Sequence, residues 1–112
     1  MRINADLWVM SYVRRLNSDG APAFVVKRGD EHSGSIFIRI NALDGTSDLY
    51  GPAAAGITQV ATERCWTLRK SGDDQTIDEI LAREAEYDPD IWLIEVEDRQ
   101  RRHFLDQGLI SS

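Results

Sequence analysis

Between residues 36 and 50 the chain carries the pattern that most limits its fold. Ile36, Ile38 and Ile40 alternate with Phe37, Arg39 and Asn41, and Asp44-Gly45 separates this run from Thr46 to Tyr50. Successive strand side chains point to opposite faces, and Asp-Gly favours a tight hairpin turn, so the stretch predicts two antiparallel strands. Upstream, Phe24, Val25 and Val26 within Ala23 to Arg28 predict a buried strand, closed by the turn-rich run Gly29 to Gly34. Three consecutive strands joined by short turns predict an antiparallel meander. A fourth strand is expected through Cys65 to Arg69, and the apolar run Ile91 to Val96 reads as a strand central in the sheet.

Two helices accompany these strands. Ile3 to Leu16 reads as the first, with Asn4 as N-cap, Ile3 and Trp8 as a hydrophobic staple, and Asp6 in the first turn. Its apolar stripe is Trp8, Val9, Tyr12, Val13 and Leu16; Arg14 and Arg15 suit its last turn, and Asn17 to Gly20 stops it. Thr76-Ile77-Asp78-Glu79 fits a capping box that opens the second helix. There Ile77, Ile80, Leu81 and Ala85 form the stripe, Glu79 and Arg83 pair four apart, and Asp88-Pro89 ends the helix. Gly51-Pro52 closes the third strand, and the small residues that follow, as far as Val60, form the segment expected to be most mobile.

Each helix needs an apolar surface on which to bury its stripe. The expected fold class is therefore α+β: one antiparallel-dominated sheet of four or five strands with two main helices packed on it. With 112 residues, no internal repeat and no low-complexity linker, a single small domain over 1–112 is expected, with a charged C-terminal tail from about 98.

Charge and cysteine usage narrow the partners. Thirteen Lys and Arg against 19 Asp and Glu leave a formal charge of -6, so the summed field disfavours nucleic acid. The run Arg99, Arg101, Arg102 and His103 then reads as solvated surface rather than a phosphate contact. A single cysteine, Cys65, forms no internal disulfide and reads as a small buried hydrophobe. The N-terminus lacks an apolar stretch of export or membrane-spanning length, so no membrane is expected and the cytoplasm is the expected location.

No assembled chemistry is legible. The two histidines, His32 and His103, have no ligand-spaced Cys or His beside them. Asp88, Asp90, Glu95 and Glu97 offer oxygen ligands for a hard cation, yet read more simply as a helix-ending turn and an exposed acidic strand edge. No Gly-x-Ser-x-Gly elbow, Walker A loop or dinucleotide glycine pattern is present. No catalytic residue, metal ligand or cofactor is therefore assigned.

Two functional readings stay open. The first is a non-catalytic interaction or accessory domain with a protein partner or self-association, anchored by Trp66 if that residue faces outward beside Leu68. The second is a small enzyme or anion-binding domain that gathers the Arg28-Gly29 turn, Arg39 and the Asp88/Asp90 loop around one pocket.

Four segments also carry a resemblance: Leu7-Trp8-Val9 leading to Arg14-Arg15; Arg28-Gly29-Asp30 with Ser33-Gly34-Ser35; Leu49-Tyr50-Gly51-Pro52; and Asp88-Pro89-Asp90-Ile91-Trp92-Leu93-Ile94-Glu95. Together, over nearly the whole chain, they resemble the alphaproteobacterial family of domain of unknown function DUF1491. The resemblance implies a small bacterial cytosolic protein and brings no catalytic residue with it.

Overall fold

In the computed structural model, which describes residues 3–53, 64–105 and 108–109, the predicted hairpin forms β2 (Ile36–Asn41) and β3 (Thr46–Pro52). Leu43 and Gly45 turn it with φ of 62° and 89°. The remaining elements are α1 (Ala5–Ser18), β1 (Ala23–Lys27), β4 (Trp66–Asp73), α2 (Asp74–Tyr87) and β5 (Trp92–Glu97). The chain is thus α+β, with two helices and a five-stranded mixed sheet that is mostly antiparallel. The segment from residue 54 to Val60, expected to be mobile, lies outside the described residues.

The predicted meander of β1, β2 and β3 is corrected by the strand order β1-β5-β2-β3-β4. β5 inserts between β1 and β2, antiparallel to the first and parallel to the second. Its sequence explains the place: Trp92, Ile94 and Val96 are buried on one face, and Leu93 packs on the other, so both faces need cover. β4 and β5 run parallel, and α2 makes the crossover between them.

The alternation in β2 now has its physical meaning. Ile36, Ile38 and Ile40 join Val9, Tyr12 and Leu16 of α1 in one core cluster, whereas Phe37 joins Ile77 and Leu81 of α2 in another. The helices therefore cover opposite faces of the sheet. Burial of Leu16, fully inaccessible, contributes about 2 kcal/mol.

Three local expectations change. The second helix starts three residues earlier than the capping-box reading. Asp73, at the last register position of β4, accepts a 2.7 Å hydrogen bond from the Thr76 backbone N–H. Both residue types cap well, and the one at the end of the strand takes the role. β1 is an edge strand, not a buried one: Phe24 is 43%, Val25 36% and Val26 52% exposed, and on the face of Phe24 the covering helix α2 lies over β3 and β4 at the far side of the sheet.

The third change concerns residues 98–105, expected to be solvated, which are anchored to the fold. Asp98 and Leu105 are buried. Tyr12 Oη donates to the His103 carbonyl at 2.7 Å and Arg15 to the Phe104 carbonyl at 2.6 Å. Arg101, at φ 60°, reaches Asp48 at 2.9 Å, and it donates to Thr46 Oγ1.

Asp98 gives this anchor a pH signature. Hydrogen bonds from the Arg102 guanidinium hold its carboxyl below the usual value of 3.8. A lowered folded-state pKa stabilises the fold fully above that value, and the contribution is lost as pH falls through the lowered one. Asp98→Asn should therefore be less stable than wild type at neutral pH, with the gap shrinking below about pH 4 in urea unfolding. A gap that stayed constant with pH would contradict this role.

Candidate functional site

The Arg28-Gly29 turn and the Asp88/Asp90 loop meet, as the second functional reading requires. Gly29 and Gly34 both lie against the Asp90 carbonyl, which a Cβ on either would approach within 2.2 and 2.5 Å. The Asp30 backbone N–H donates to that carbonyl at 2.9 Å, and Trp92 Nε1 donates to the Asp30 carbonyl at 2.7 Å. Arg28 stacks its guanidinium 5.0 Å from the Trp92 ring, and Asp88 accepts from the Asp90 N–H at 3.0 Å.

Many of the polar groups between these two loops bond to one another. The Asp30 carboxylate accepts from the N–H groups of Ser33 and His32 and from the Ser33 hydroxyl, which hold its pKa below the ordinary carboxylate value. Gly34 N–H donates to the Asp30 carbonyl. The carbonyls of His32 and Glu31 accept from Ala5 and Asp6, so the turn also seats the first residues of α1. Lys27 Nζ donates to the carbonyls of Pro89 at 2.6 Å, Ile91 at 3.0 Å and Arg28 at 3.3 Å. Chemically this is a clamp between two loops.

Arg39 does not join it. In β2 it stands three residues beyond Ile36, the partner of Trp92, or about 10 Å along the strand. Its Nε donates to Ser47 at 3.2 Å, one terminal nitrogen donates to Asp78, and the other to Asp74 Oδ1 at 3.0 Å. Burial opposes its charge, but the bonds to Asp78 and Asp74 outweigh that and raise its pKa. Arg39 ties the sheet to the first turn of α2.

Trp66 is 3% exposed and packs 4.8 Å from Trp8, so it faces the core and Leu68 alone faces out. His103 lies against Tyr50 at 5.1 Å, and its Nδ1 accepts from the Leu105 N–H. Among the described residues no group of three or more His, Cys, Asp or Glu is placed to hold a metal, and no helix is long and apolar enough to cross a membrane.

The surface that sequence reasoning missed is the outer edge of β1. Asn17, at the end of α1, bonds Ala23 through both of its backbone groups: Nδ2 donates to the Ala23 carbonyl at 2.9 Å and Oδ1 accepts from its N–H at 3.1 Å. The backbone groups of Ala23 thus point away from β5, and by the two-residue repeat so do those of Val25. On α1, Met10, Val13 and Asn17 recur at intervals of three and four, so Met10, 66% exposed, shares the flank above this edge. Strand composition alone does not separate a buried strand from an exposed edge.

A family model described as "Protein of unknown function (DUF1491)" matches residues 3–106. A crystal structure of a DUF1491 family protein from Caulobacter crescentus is 33% identical, with a TM-score of 0.81, covering 99% of this chain and 100% of that one. A solution structure of a protein from A. tumefaciens is 30% identical, with a TM-score of 0.82 and coverage of 100% and 98%. An NMR structure of a DUF1491 family protein from Caulobacter crescentus is 34% identical, with a TM-score of 0.81 and coverage of 99% of each chain. No curated protein matches.

Proposed function

The chain belongs to the DUF1491 family, and on that premise we propose that it is a non-catalytic interaction or accessory domain of the bacterial cytosol. It acts as one domain across residues 1–112 and binds a protein through the outer edge of β1 and the adjoining flank of α1. The observation that carries this reading is the exposed run Phe24-Val25-Val26 on an edge strand, with the Val25 backbone groups directed outward. Proteins ordinarily blunt such edges with charge, proline or cover, and an exposed apolar edge supports a docking role. A single cysteine, with no internal disulfide to form, supports the cytosolic setting.

The reading is tested by affinity capture from bacterial cells with wild type and with a Phe24→Ser/Val26→Ser variant as baits. The variant should keep the wild-type circular dichroism and lose a partner that wild type retains. Equal retention by both baits, or no partner for either, would sink the reading.

A further inference from the structure

Resting on that reading, we infer that the occupant of this edge is a second copy of the chain, paired antiparallel about a two-fold axis at Val25. The open window is short. Asn17 occupies both backbone groups of Ala23, and a register irregularity between Val25 and Lys27 interrupts the ladder at the other end. A foreign strand seeking several main-chain bonds finds one outward residue. A two-fold pair needs no more, because one residue at the axis exchanges N–H···O=C bonds with its own copy in both directions.

Side chains agree with this register. Centred on Val25, the pairing sets Phe24 opposite Val26 of the second copy, an aromatic against a β-branched residue, twice over. Charge agrees as well. The chain carries -6, yet β1 holds no acidic residue. Its one cation, Lys27, is turned back onto the carbonyls of Pro89 and Ile91. Along the strands themselves, two copies therefore meet without placing like charges opposite each other. Met10 and Val13 extend the apolar contact above the axis. So small an interface implies a dissociation constant weaker than about 1 μM.

Sedimentation velocity from low-micromolar to near-millimolar concentration tests the proposal. Wild type should shift from monomer to dimer. Val26→Glu, at an exposed site, should weaken the dimer at least about tenfold. Val25→Pro removes the outward donor, which an edge strand tolerates, and should weaken it likewise while the monomer stays folded by circular dichroism. Monomer at every concentration overturns the dimer, as does a dimer that both variants leave intact. Neither result decides the broader reading, which stands or falls with the capture experiment; a different protein retained at this edge in place of a second copy would overturn the dimer and leave that reading intact.

Discussion

Gly29→Ala should lower stability by about 4 kcal/mol, a fall in Tm on the order of 15 °C. A Cβ at this position would lie 2.2 Å from the Asp90 carbonyl oxygen and 2.6 Å from the Ile91 carbonyl carbon, both backbone atoms of a loop that is itself tied down. The loops must separate, and the Asp30 N–H to Asp90 carbonyl bond then goes with them. Trp92 is 1% exposed, so its indole N–H would lose the Asp30 carbonyl without finding water. Gly20→Ala is the control: φ there is 85°, nothing lies within 4 Å, and only the left-handed backbone penalty of about 1–2 kcal/mol applies. Urea unfolding of the two variants would contradict the clamp if they lost equal stability.

The second large effect is Arg39→Met, which should cost about 3 kcal/mol. Methionine fills much of the same volume but leaves Ser47, fully inaccessible, and the Asp74 carboxylate without their guanidinium partner. Asp78 is 65% exposed, and its loss leaves Arg39 paired with Asp74, so Asp78→Ala should cost less than about 1 kcal/mol. That asymmetry is the diagnostic. Comparable small losses in both variants would mean that Arg39 holds α2 no more firmly than a surface pair does.

Much of this architecture was legible in local sequence because it is locally caused. The hairpin at Asp44-Gly45, the helix stripes through Val9 and Leu16 and through Ile77 and Leu81, and the strand after Pro89 each follow from periodicity and turn chemistry within a few residues. What stayed hidden depends on distance along the chain. Nothing near Ala23 indicates that Val96, rather than a residue of β2, will be its partner. The exposure of Phe24 to Val26 follows from that strand order, since a strand at the edge and one in the middle share the same β-branched and aromatic composition.

The candidate site divides the same way. The meeting of Arg28-Gly29 with Asp88 and Asp90 is one of the two alternatives the sequence leaves open, and in the structure these loops are bonded to each other through Asp30 and Asp90, with Trp92 bonding the Asp30 carbonyl. Arg39 stands apart from them, because its partners, Asp74 and Asp78, are 35 and 39 residues away along the chain. Arg101, which bonds Asp48 from a left-handed backbone, left no local signal at all.

The most direct test of the account is photo-cross-linking in cells, with a photoreactive phenylalanine analogue in place of Val26 or, separately, of Asp90. Both sites are exposed, one on the β1 edge and one on the polar loop clamp. Adducts from position 26 and none from position 90 are the predicted result. Adducts from position 90 alone would contradict it, and would return the working surface to the loops around Gly29.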